Sequence, residues 1–204
     1  MKHASTRALF TYWNERRGNR PAPERGDIDP AAIRHALGDT FMLAADFVDQ
    51  LRFRLAGTRV CALFCREIKG EDFSALWGES SGKAIEDLLA IMTNETMGAV
   101  AGLTARTADG AEADLEILLL PLAHLGHARI RALGVLVPIE PPYWLGEKPV
   151  VELELGTLRH IGAELEGFGT PHFAPAPALE DVRLRHGFVV YSGGRQAPSG
   201  DRTG

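Results

Sequence analysis

The stretch Gly57–Trp77, GTRVCALFCREIKGEDFSALW, holds both cysteines of the chain, three arginine or lysine side chains in a row of short helical patterns, and three aromatics. Gly57, Gly70 and Gly78 interrupt it at spacings too short for a long helix. Ile68, Phe73 and Leu76 fall where a chain reversing at Gly70 would turn them inward. The segment therefore reads as a run of short helices packed on something apolar, and its flanks show what that is.

Before it, FMLAADF and LRFRLAG are apolar segments joined by VDQ. In the second, Leu51, Phe53 and Leu55 alternate with Arg52 and Arg54, the period of a half-buried strand. After it, SSGKAIEDLLAIMTNETMG reads as a longer helix with Ile85, Leu88, Leu89 and Met92 on one face, followed by Gly98. Three strand patterns follow, at about 99–107, 112–122 and 128–139. The first turn carries Asp109-Gly110, a strong hairpin signal, and the second carries Gly126 within AHLGH. Glu140-Pro141-Pro142 ends the pattern, because prolines donate no ladder hydrogen bond. Two strands, then helices, then three strands form an α+β arrangement. Its five-stranded antiparallel sheet carries helices on one face, with a small cavity between.

Upstream, STRALFTYWNERRG reads as a helix with Ser5 or Thr6 as cap, an apolar stripe of Leu9, Phe10 and Trp13, and Gly18 at its end. DIDPAAIRHALG reads as a second helix with Asp29 as N-cap and Pro30 at its first position. Downstream, VVELEL is a candidate extra strand, EGFGTPHFAPAPALED a proline- and alanine-rich linker, VRLRHGFVVYSGG a return to strand character, and RQAPSGDRTG a polar tail. The organisation is flanking helices over 1–40, a core domain over 41–140, a C-terminal extension over 141–191 that docks on the core or a partner, and a disordered tail over 192–204.

Totals exclude several classes. A net charge of −5 lacks the basic surface that general nucleic-acid binding requires. No apolar run reaches the ~20 residues of a membrane helix, and the N-terminus lacks a secretory pattern, so a cytoplasmic setting is expected. Cys61 and Cys65 are too few for a disulfide framework and read as buried or half-buried thiols, with Arg59 and Arg66 near enough to lower a thiol pKa. There is no phosphate loop, nucleophile elbow or paired His–Glu motif. His124 and His127 sit in one turn without a third ligand, and His35, His160, His172 and His186 are scattered, so no metal is expected. Glu112, Asp114 and Glu116 alternate as a solvated sheet face would.

The cadence FCREIKGEDFSAL resembles a PAS domain. The blocks LFTYWNERRGNRPAPERGDIDPAAI, FRLAGTRVCALFCREIKGEDFSALW and RHGFVVYSGGR are similar to those of bacterial single-PAS-domain regulators, and together they span about residues 5–195. The resemblance implies a non-enzymatic sensory protein. It would act in signalling tied to motility or the cell cycle, through a small ligand, a protein partner, or both. It places Arg54, Thr58 and Arg59 at the cavity rim, with Phe64 and Trp77 as further ligand-binding residues. A competing reading leaves the arginines on the surface and Thr58 as a helix cap.

Flavin photochemistry is disfavoured, because neither RVCALF nor LFCREI matches the adduct motif. Haem is disfavoured because the long helix has no histidine, and Met92 and Met97 read as packing residues. No cofactor is expected. Leu9, Phe10 and Trp13 form either a homodimer interface or a contact with the chain's own domain. Two rivals remain: a cone-shaped α+β enzyme of isomerase or dehydratase type using Asp46, and a scaffold whose core holds no ligand.

Overall fold

The computed structural model describes residues 1–45, 51–123, 131–161, 183–185 and 188–190. They belong to two compact units, Met1–Glu166 and Gly167–Gly204. The turn at VDQ, Asp46, His124, His127, His172, His186, the proline-rich linker and the tail over 192–204 lie outside the described residues. In the second unit Arg183–Arg185 pairs antiparallel with Phe188–Val190, within the segment where strand character returns.

In the first unit, helix α1 (Ala4–Arg17) leads to strands β1 (Thr40–Ala45) and β2 (Leu51–Ala56). Helices α2 (Thr58–Phe64) and α3 (Glu79–Glu95) follow, and then strands β3 (Gly98–Thr107), β4 (Glu112–Leu122), β5 (Arg131–Pro138) and β6 (Val150–Ile161). The sheet is antiparallel in the order β2-β1-β5-β4-β3-β6. The five strands of the expected core are all present, and VVELEL opens a sixth that runs on to Ile161 along β3. The Leu155 amide donates to Ser81 Oγ at 2.8 Å, which ties β6 to α3.

Burial on β4 explains where the helices go. Leu115, Ile117 and Leu119 face one side with α2, α3 and the 3₁₀ turn Phe73–Leu76. Leu118, Leu120 and Leu122 face the other side. LEILLLPL is apolar at every position but one, and a strand of that kind must be covered on both faces. α2 and α3 cover the first face. The flanking α1 covers the second, packing on Leu118, Leu120, Leu133 and Val135.

Leu9, Phe10 and Trp13 are therefore buried against the chain's own sheet. The Trp13 indole N–H donates to the Pro121 carbonyl at 2.8 Å, and its ring stacks on Phe10 with centroids 6.4 Å apart. These are the side chains weighed for a dimer interface; here their contacts are intramolecular, and a dimer through them would first have to lift α1 off the sheet. Each such burial contributes about 1.5–3 kcal/mol.

DIDPAAIRHALG forms two 3₁₀ turns, Pro30–Ile33 and Leu37–Asp39, in place of the expected helix. Asp29 is nonetheless the N-cap, its Oδ1 accepting from the Ala31 amide at 2.9 Å. The chain must then press on α2. A Cβ at Gly57 would collide with the Leu37 and Gly38 backbone, and tight turns let the segment follow that contact. α1 is capped by His3 Nδ1, which accepts from the Ser5 amide, and not by Ser5 or Thr6.

If α1 is part of the fold, Trp13→Ala should destabilise the whole unit by about 3–5 kcal/mol in urea unfolding followed by far-ultraviolet circular dichroism. Loss of helix signal with an unchanged main transition would show α1 to be an appendage.

Candidate functional site

The space between the helices and the first face of the sheet is where a cavity was expected. Among the described residues, aromatic side chains pack against one another there. Phe41, Phe53 and Phe73 have ring centroids 5.5–6.2 Å apart, and Trp77 lies edge-on to Phe73 at 5.5 Å. Phe64, Ile68, Ile85, Leu88 and Met92 complete the packing. Met92 is thus a core residue, and α3 carries no histidine.

The five candidate ligand residues divide into two groups. Phe64 and Trp77 lie inside this core, whereas Arg54, Thr58 and Arg59 are on the surface. Thr58 is the first residue of α2, and Gly57 stands at the N-cap, so Thr58 does not cap the helix. Trp77 keeps one unusual feature. Its indole N–H is buried without a hydrogen-bond partner among the described residues, which costs about 1–3 kcal/mol.

Arg59 has a different use. Its Nε and Nη2 donate to the Asp39 carboxylate at 2.5 and 2.7 Å, and the Ser5 hydroxyl donates to Asp39 Oδ2 at 2.6 Å. Asp39 is only 4% exposed. One buried carboxylate therefore joins α1, on one face of the sheet, to α2, on the other. A second anchor lies nearby: Glu116 on β4, 5% exposed, accepts from the Lys2 and His3 amides at 2.6 and 3.0 Å. Glu116 is not the solvated residue its alternation suggested, because the N-terminal segment covers it.

Burial alone would raise the pKa of Asp39, but hydrogen bonds from Arg59 and Ser5 outweigh it and hold the carboxyl below its ordinary value. Burial is likewise outweighed at Glu116 by the Lys2 and His3 amides. Carboxylates with depressed folded-state pKa values stabilise the fold above the ordinary carboxylate range. They lose that contribution as pH falls through the folded-state values.

The thiols are not both buried. Cys61 is half-buried and Cys65 exposed. Cys65 is the C-cap of α2, in the left-handed region with φ +52°. Burial, together with Glu67, raises the Cys61 pKa. Arg59 is held by Asp39 and Arg66 by Glu71, the latter at 2.8 Å, so neither is committed to a thiolate. Among the described residues no three His, Cys, Asp or Glu side chains group as metal ligands. No described helix is long and apolar enough to cross a membrane.

Asp39→Asn should lower stability at pH 7 by roughly 1–3 kcal/mol, because it breaks the charged bonds to Arg59. It should also flatten the decline in melting temperature below about pH 4, where ordinary carboxylates protonate. An acid limb identical to that of the parent chain would rule out Asp39 as a contributor.

A family model described as a PAS domain matches residues 1–137. Among solved structures, the PAS domain of a protein from Colwellia psychrerythraea is similar at 13% identity, covering 54% of this chain and 97% of that one, with a TM-score of 0.40. No curated protein matches.

Proposed function

Because the chain belongs to the PAS-domain family, whose general role is sensory and signalling, we propose that it is a non-enzymatic regulator whose input is contact with a protein partner. Its setting is the bacterial cytoplasm, in signalling tied to motility or the cell cycle, as the resemblance of its sequence blocks implies. One observation carries the choice of a partner over a ligand. Among the described residues, Phe41, Phe53, Phe73 and Trp77 pack on one another in the region between helices and sheet. A haem or flavin would have to displace that cluster, at the cost of several buried aromatic contacts.

The mechanism is a shift between populations. A partner that binds the outer face of the sheet, where α1 lies, favours one setting of that helix. Ser5, Asp39 and Arg59 link α1 to α2, so the bias passes to the helices on the inner face. The reading uses no homodimer through α1, since its apolar stripe is engaged by the sheet.

A second reading rests on Trp77. Its unpartnered indole N–H would favour a compact ligand offering one hydrogen-bond acceptor inside the core. Native mass spectrometry of the full chain, set against its denatured mass, separates the two. Partner input predicts equal masses. An adduct lost on denaturation, and absent from Trp77→Phe, would replace it with ligand input.

A further inference from the structure

Beside α1, the outer face of β6, β3 and β4 is laid out in cross-strand rows. Arg159, Val100 and Leu118 form one row, and four residues along β3 the corresponding row is Glu154, Thr104 and Asp114. Strand geometry puts these rows about 13 Å apart. Val100 and Leu118 belong to the cluster beneath α1, so alternation turns both rows to that same face. Between them lies Gly102, which has no side chain, and β6 bulges there so that Gly156 closes on it. Thr157 leans over the same spot, since a Cβ at Gly102 would stand 3.1 Å from Thr157 Oγ1. The bare row floors a concavity of about 470 Å³.

The two ends of this face carry opposite charge. At one end Arg159 and Lys2, both exposed, have no ion-pair partner among the described residues. At the other end Asp114 is likewise exposed and unpaired among the described residues. One row further on, Arg106 stands between Glu112 and Glu152, and it holds Glu112 at 2.7 Å and Glu154 at 3.0 Å. A nucleic acid or an anionic membrane would meet like charge at the Asp114 end, and a basic peptide would meet it at the Arg159 end. A face with one sign at each end and no side chain at Gly102 between them is complementary to itself after half a turn.

We propose that this face docks a second copy of the chain, about a two-fold axis that runs across the strands at Gly102. Arg159 of one copy then meets the partner's Glu154, and Lys2 meets the partner's Asp114. Each contact occurs twice, as a two-fold interface requires. Gly102 and Thr157 meet their own counterparts on the axis, where the missing side chain lets the two sheets approach. α1 stays on its own sheet, so this is not the dimer through Leu9, Phe10 and Trp13. The inference goes beyond the protein-partner reading, and the two stand or fall separately.

Sedimentation velocity of the full chain, followed over a range of concentrations, reads the dimer. The parent chain should dimerise at about 0.1 M salt and weaken at about 1 M, where the screening length falls from ~10 to ~3 Å. Lys2→Glu with Arg159→Glu leaves both ends acidic, and Asp114→Lys with Glu154→Lys leaves both ends basic. Each pair sets like charges opposite one another and should raise the dimer dissociation constant about tenfold. An equimolar mixture of the two variants should dimerise as the parent does, because every altered end again finds its opposite. Glu86→Gln with Asp87→Asn, exposed carboxylates on α3, should change nothing.

Far-ultraviolet circular dichroism checks that each variant keeps the fold. Thr157→Glu alters neither charged end and sets two carboxylates on the axis, so it serves where a double variant does not fold, and it too should be monomeric. A parent chain that stays monomeric at about 0.1 M salt overturns the proposal. So do charge variants that dimerise as the parent does, or a mixture of the two that remains monomeric.

Discussion

A strand that is apolar on both faces cannot be left half covered, and the architecture follows from that constraint. β4 and β5 bury side chains alternately into two cores, one beneath α2 and α3 and one beneath α1. The first flanking helix is thereby a structural wall of the unit. Close approach tightens the arrangement further. A side chain at Gly134 would collide with the Phe41 ring and the Leu118 carbonyl, so β5 can lie between β1 and β4 only with glycine there. A helix committed in this way gives its apolar stripe to the sheet and leaves its outer surface exposed.

Two buried carboxylates tie that wall to the rest of the unit. Glu116 takes the amides ahead of α1, and Asp39 takes the hydroxyl of its first turn while binding Arg59 of α2. Buried anions held by several donors are short-range and directional, and small displacements break them. α1 cannot move at its N-terminal end without disturbing Asp39, and Asp39 cannot move without releasing Arg59. On the other side α2 and α3 share one buried cluster with Phe41, Phe53, Phe73 and Trp77. Glu116 and Lys2 also border a concavity on the outer face of the sheet.

Much of the fold could be read from the sequence because its signals are local. Alternation in LRFRLAG, the Asp-Gly turn after β3 and the apolar stripe Ile85–Leu88–Met92 each state an element within one or two turns of chain. The strand extending VVELEL to Ile161 was less visible, since exposed and charged residues on an edge strand break the alternation. Asp29 signalled a helical start, but the tight turns after it answer to Gly57, about thirty residues on. The candidate site was harder still. Arg59 was singled out, but its partner Asp39 is paired across twenty residues and has no local signature. Glu116 looked solvated because alternation assigns a face, not what covers it. Phe64 and Trp77 were expected beside a cavity and lie in a packed core, since apolar residues look the same in sequence whether they line a space or fill it.

The claim on which the rest stands is that the chain covers its own sheet on both faces. Amide hydrogen exchange of the α1 segment 9–13, followed over a hundredfold range of protein concentration, tests it directly. The account predicts strong protection that does not change with concentration and matches that of β4, because the helix and the strand belong to one cooperative unit. Protection that appears only as concentration rises would mean that α1 is ordered by a second copy, and would contradict it.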